Sequence, residues 1–281
     1  MRYPKAPWLV PIAAMGLLTC VSAWHRAPVE VDLALVLAVD VSTSMDPGEQ
    51  HLQRQGYVEA FRSPMIHQAI HGGLVGRIAV AYVEWAGAHP RFQNVVVSWT
   101  ILESPEDSLS FADQLARAPI YRVAGTSISE AIDFSLALMG SSHVLAARRV
   151  IDISGDGSNN QGPLITEMRD KAIAHGVTIN GLPIMLRDPE RRENATLDAY
   201  YRDCVIGGAN AFMIPVRERS QFLTETRAKI AREIAGGPEP GWPVQTARTV
   251  PLTDCDTSES LWDDPGLEPH AFPRHEVGKD L

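Results

Sequence analysis

Basic clusters are missing from this chain, and so are the common phosphate-handling and nucleophilic motifs. Lys and Arg number 25 against 34 Asp and Glu, a formal net charge of −9. No basic run is interleaved with aromatics. A nucleic-acid-binding domain presents a clustered basic surface, so nucleic acid is not an expected partner. There is no Gly-x-Ser-x-Gly elbow, no Gly-x-x-x-x-Gly-Lys-Ser/Thr loop and no Cys/His cluster, which removes the usual hydrolase, nucleotide and zinc signatures. An Asp-x-Asp phosphatase is disfavoured too, because Ser42 stands two positions after Asp40.

Long apolar runs are also scarce. The stretch 8–20 is short for a membrane span, which needs about 20 apolar residues. Arg2 and Lys5 precede it, and Val21, Ser22 and Ala23 supply small residues for signal peptidase. Residues 1–23 therefore read as a cleaved export signal, with an uncleaved N-terminal anchor as the alternative. The mature chain would be periplasmic or secreted, with no membrane span. Cysteine is limited to three residues, and cleavage leaves Cys204 and Cys255. In an oxidising compartment these can bridge and pin the tail to the domain. A buried Cys204 with a free Cys255 thiol fits the sequence equally well, since spacing does not fix Cα separation.

What is present is globular: 45% hydrophobic and 21% charged residues. Residues 31–44, VDLALVLAVDVSTS, carry the clearest signal. An apolar, β-branched run of buried-strand length ends in Asp40, and Ser42 and Ser44 follow at alternate positions. One carboxylate and two hydroxyls on the turn leaving a strand form a hard-oxygen cradle suited to Mg2+ or Mn2+.

Downstream, the pattern predicts a helix over 46–70 with a break at Pro64, then strands at 77–85 and 94–102 joined as a hairpin. A helix over 105–116 follows, and another after Gly125, Thr126 and Ser127. A strand at 149–154 runs into Gly155, Asp156 and Gly157. A helix (163–175), a strand (177–184), a short helix (193–203), a strand (211–216) and a closing helix (220–235) complete the domain. Strands alternating with helices imply a three-layer α/β fold: a doubly wound, mostly parallel sheet with one antiparallel edge strand. In such sheets function gathers beyond the carboxyl ends of the strands, where Asp40, Thr126 and Asp156 converge. Residues 236–281 are Pro-rich and read as an extended tail.

Asp40, Ser42, Ser44, Thr126 and Asp156, in that order and context, resemble the metal-ion-dependent adhesion site of von Willebrand factor A domains. The resemblance covers 30–235 and extends to exported bacterial proteins of unknown function that carry this domain. It implies that Ser42 and Ser44 bind the metal through their hydroxyls. Thr126 would join when a ligand is bound, and Asp40 and Asp156 would act largely through water. An acidic side chain of a protein partner would complete the site. The plainer alternative makes Ser42, Ser44 and Thr126 helix caps and turn formers. Glu84, at the end of its strand, is a candidate neighbour of the metal's water shell, or else a paired acid. Asp152, inside an apolar strand, needs a partner, with Arg148 or Arg149 nearby in sequence. Two further functional readings use the same fold. One is a Mg2+-dependent hydrolase, for which no general base stands out. The other is a structural domain whose site is filled by its own tail, through Asp254 or Asp256.

Overall fold

The computed structural model describes residues 27–186, 192–236, 244–248, 253 and 255, with the backbone alone for 192–195. Its axis is β1 (Val29–Asp40), whose side chains are buried from Leu33 onward. A strand covered on both faces needs continuous apolar sequence, and LALVLAV supplies it. On one side β1 pairs in parallel with β2 (Ile78–Trp85), which pairs antiparallel with β3 (Gln93–Leu102). On the other side it pairs in parallel with β4 (Val144–Gly155), followed by β5 (Thr178–Pro183) and β6 (Phe212–Met213). The chain thus leaves β1 in one direction and later continues on its other side. The crevice between the carboxyl ends of β1 and β4 is the switch point where α/β sheets bind ligands.

Period-two alternation sends successive side chains to opposite layers. Leu33, Leu35, Leu37 and Val39 face α1 (Pro47–Arg62), α2 (Pro64–His71), α3 (Pro105–Arg117) and α7 (Phe222–Ala235). Val36 and Ala38 face α4 (Ile128–Gly140), α5 (Ile165–Ala174) and α6 (Arg192–Tyr200). The expected helix over 46–70 is two helices. Ser63 leaves helical geometry, accepts the Met65 N–H at 3.3 Å, and Pro64 starts α2, a position where its missing N–H costs nothing. The last turn of the expected 193–203 helix is a π-helical segment, Tyr201–Val205.

Two expectations about the sheet need correction. The tail contributes β7 (Gln245–Thr246), antiparallel to β6, so antiparallel strands close both edges instead of one. At two residues β7 has no periodicity to read in sequence. β4 begins at Val144, five residues before the expected start, because its first half is only partly covered and Arg148 and Arg149 separate its apolar stretch from the buried half.

Cys204 and Cys255 form a disulfide with Cα atoms 5.7 Å apart. A charged cluster lies on the α7 face. Lys229 donates to Asp152 and to Glu233, and all three side chains are fully buried. Asp152 thus pairs with a lysine far away in sequence, whereas Arg148 caps the α7 carbonyls of Glu233 and Ile234 at 2.8 and 2.6 Å. Burial, reinforced by the Asp152 charge and opposed by Lys229, pushes the Glu233 carboxyl up to about 7.

Two stability measurements check this framework. Lys229→Met leaves two buried acids without their cation and should cost about 3–5 kcal/mol in chemical denaturation; a loss below about 1 kcal/mol would contradict the buried triad. Replacing Cys204 and Cys255 together by Ala opens a loop whose ends are 51 residues apart. The expected loss is up to about 4 kcal/mol by loop entropy, and an unchanged midpoint would argue against the bridge.

Candidate metal centre

The site is built where β1 runs out of sheet. Asp40 is fully buried, and its Oδ1 accepts the Ser42 N–H at 2.7 Å, turning the chain back on itself. Ser42 is then held beside the loop between α3 and α4. Thr43 N–H donates to Val123 O at 3.0 Å, and Val123 N–H to Val41 O at 3.1 Å. Arg122 donates to Thr43 O (3.0 Å) and Met45 O (2.5 Å), and Gln50 to Ser42 O (3.1 Å). The turn carrying the two serines is therefore fixed from three directions.

The hydroxyls form a chain. Ser44 Oγ donates to Asp156 Oδ1 at 2.6 Å, and Ser42 and Ser44 Oγ lie 2.5 Å apart. Ser44 has one hydroxyl proton, so Ser42 is the donor to Ser44. Thr126 stands against the same turn: a Cβ placed on Gly157 would lie 4.0 Å from its Oγ1. Its backbone is clamped by Asn160, whose Oδ1 accepts Thr126 N–H at 3.0 Å while Asn160 N–H donates to Thr126 O at 2.9 Å. Asp40, Ser42, Ser44, Thr126 and Asp156 are thus gathered at one end of β1 and β4. Exposure grades outward, from fully buried Asp40 to exposed Ser44.

None of the three hydroxyls caps a helix. The α1 cap is Asp46, which accepts Glu49 N–H at 2.8 Å in a capping box, and the α4 cap is Ser127, which accepts Glu130 N–H at 3.3 Å. The carboxylates of Asp46 and Glu49 also sit on the positive end of α1, so that helix does not confront the cradle with uncompensated charge.

The electrostatics favour a cation beside Asp40. Burial, with the Asp156 charge added, pushes the Asp40 carboxyl up to about 8, against the pull of the Ser42 N–H. Its Oδ2 is buried without a hydrogen-bond partner among the described residues. A carboxylate in that position calls for a positive partner, and the oxygen donors around it are the hard type preferred by Mg2+ and Mn2+. Among the described residues no group of three or more His, Cys, Asp and Glu is placed to hold a metal, so the candidate donors here are two carboxylates and three hydroxyls.

Glu84 is not brought to this cluster. It points to the α1 face and pairs with the buried Arg54, which also donates to Leu115 O at 2.8 Å and Ala118 O at 3.1 Å, tying α1, β2 and α3 together. Asp254 and Asp256 lie outside the described residues. Several supporting residues had no mark in the sequence. Gln161 Oε1 accepts Ala88 N–H at 3.0 Å and braces the loop after β4. Tyr201 reaches the rear of the site: a Cβ on Gly155 would fall 3.0 Å from Asp40 Oδ2 and 3.1 Å from Tyr201 Oη. Gly155 is required for that close approach. The Asn that follows Asp156 by four positions was the one readable hint of the clamp on Thr126.

The mostly parallel sheet with helices on both faces has a von Willebrand factor A-like α/β fold. Solved structures share the fold. A pilus adhesin, SpaC from Lactobacillus rhamnosus GG, is similar with a TM-score of 0.55 and 12% identity, over 75% of this chain and 31% of that one. The von Willebrand factor domain of the type V pili tip protein Mfa5 from Porphyromonas gingivalis gives 0.51 and 10%, over 76% and 98%. Proximal thread matrix protein 1 from the mussel byssus gives 0.50 and 14%, over 74% and 48%. The chain thus spans about a third of the SpaC chain and about half of the mussel chain. No curated protein sequence matches it. The chain belongs to the family described as "Protein of unknown function (DUF1194)", which it matches over residues 30–238.

The raised Asp40 carboxyl sets a pH test. A carboxyl with a folded pKa near 8, above its ordinary 3.8, stabilises the fold fully below that ordinary value. The contribution is lost as pH rises through about 8. In EDTA, Asp40→Asn should therefore melt higher than wild type at pH 8.5, with the gap closing toward pH 4. Equal melting at both pH values would mean that Asp40 carries no buried charge.

Proposed function

We propose that this chain is an exported, metal-dependent protein-binding module rather than an enzyme. The observation that carries the reading is the pair of serine hydroxyls and the threonine left free of capping duty beside a buried carboxylate with an unpartnered oxygen. Mg2+ or Mn2+, when bound, supplies an open coordination position for a partner's carboxylate. Asp40, Ser42, Ser44, Thr126 and Asp156 are the residues that would hold it. Ser42, Ser44 and Thr126 offer neutral oxygens that leave the cation's charge largely uncompensated. Asp40 and Asp156 supply the negative charge, and loss of either should weaken binding more than loss of one hydroxyl.

The exposed rim at Ser44 leaves room for a large partner. That two of the proteins sharing the fold are a pilus adhesin and a pilus tip protein supports a binding role. Export agrees with the leader at 1–23 and with the disulfide. Among the described residues no helix is long and apolar enough to cross a membrane.

Thermal unfolding tests the metal. Saturating ion at a hundred times its Kd should add about 2.7 kcal/mol, with Mg2+ or Mn2+ raising the melting temperature of the EDTA-treated protein. Asp40→Ala and Asp156→Ala should each abolish the rise. Capture of a partner from the surface or extracellular fraction should then be reversed by EDTA. No thermal shift at millimolar ion, together with capture that EDTA leaves unchanged, would refute the proposal.

A further inference from the structure

β4 outruns its neighbour. Its pairing with β1 begins at Val144, opposite Val29, whereas its pairing with β5 begins at Val150, opposite Thr178. Among the described residues, 144–149 have a strand on one side only. Backbone N–H and C=O groups facing away from β1 there present an unpaired ladder, a template for another strand. The strip is accessible: Leu145 is 58% exposed, and Ala147 and Arg149 are exposed with it.

The surroundings of the strip are cationic. A cavity of about 500 Å3 beside it is lined by Arg148, Arg149, Arg232, Asn180, Phe212 and Glu233, among others. Arg148 holds the α7 carbonyls, Arg149 donates to His175 O, and Arg232 stacks 4.6 Å over the Phe212 ring. A guanidinium has five N–H donors, so each keeps donors beyond those bonds. The one carboxylate in the lining, Glu233, is tied to Lys229. In a chain with 34 acids to 25 bases, three arginines on one cavity reverse the prevailing sign.

We propose that this notch receives an extended, acidic peptide segment of a partner protein, added as a strand beside residues 144–149. Alternation fits the two faces. Acidic side chains on the α7 face meet Arg148 and Arg232, and small apolar ones on the other face meet Leu145 and Ala147. Main-chain bonds would supply the affinity and the arginines the selectivity, as in other strand-addition complexes. The notch is distinct from the metal centre. Arg149 and Asp156 are seven residues apart along one strand, roughly 23 Å.

The test uses four labelled octapeptides, alternating Glu-Val, Gln-Val, Glu-Pro and Lys-Val, titrated onto the exported chain in EDTA so that the metal centre takes no part. Glu-Val should bind saturably. Gln-Val should bind at least tenfold more weakly, for lack of charge, and Glu-Pro likewise, because proline has no N–H to donate. Arg232→Glu should weaken Glu-Val at least tenfold and admit Lys-Val in its place. No saturable Glu-Val binding at millimolar peptide overturns the proposal. Equal binding of Glu-Pro overturns strand addition, and equal binding of Gln-Val overturns the arginine role. A dimer that forms without peptide and dissociates in Arg149→Glu would assign the notch to a second copy, which also overturns it.

Discussion

The structure depends on a carboxyl group buried at the end of its central strand. β1 is apolar on both faces from Leu33 to Val39, and the fold then places Asp40 where water does not reach. Burial of such a group is tolerated when something compensates it, and every nearby element bears on that requirement. The Ser42 amide binds one oxygen, Gly155 leaves room for the other, and the turn after β4 brings up the Asp156 carboxylate, which accepts from Ser44. The second acid makes the situation worse in the absence of a cation, since like charges in a shared site disfavour ionisation.

The buried charges on the opposite face follow a different rule. Arg54 pairs with Glu84, and Lys229 is shared by Asp152 and Glu233. A buried ion pair adds little net stability compared with apolar packing, yet it is costly to break. Each fixes which helix lies over which strand: α1 and α3 on β2, and α7 on β4. The chain thus uses its buried ion pairs to set register, whereas no ion pair with a cationic side chain holds Asp40 at the switch point among the described residues.

Most of the layer order was legible in the sequence because it rests on local signals. The run before Asp40, the proline and capping residues at helix starts, and the Gly-flanked Asp156 all report conformation within a few positions. The five oxygen-bearing residues were readable as an ordered set for the same reason, each sitting at a strand end or helix start. What was not legible depends on distant partners. Lys229 looked like one charged residue on an amphipathic helix until Asp152 was placed opposite it. Tyr201 gave no sign of lying behind Asp40, since a π-helical turn brings it there. The first half of β4 escaped notice because its apolar stretch, 144–147, is short and is cut off from the buried half by Arg148 and Arg149. β7 is too short to have a period. Glu84 shows the limit of position alone: strand-end placement was correct, but pleat parity sends its side chain to the other layer.

The disulfide encloses more than the tail. Residues 204 and 255 close a covalent ring that contains β6, α7 and β7, so the last helix of the domain is not a free end. Tension applied to the chain beyond Cys255 bypasses α7 and enters the fold at Cys204, in the same π-helical turn that carries Tyr201. A terminal helix ordinarily peels first when a chain is pulled from its end. Here the mechanical path leads instead to the back wall of the Asp40 site, and α7 is loaded only after that bond or that turn gives way.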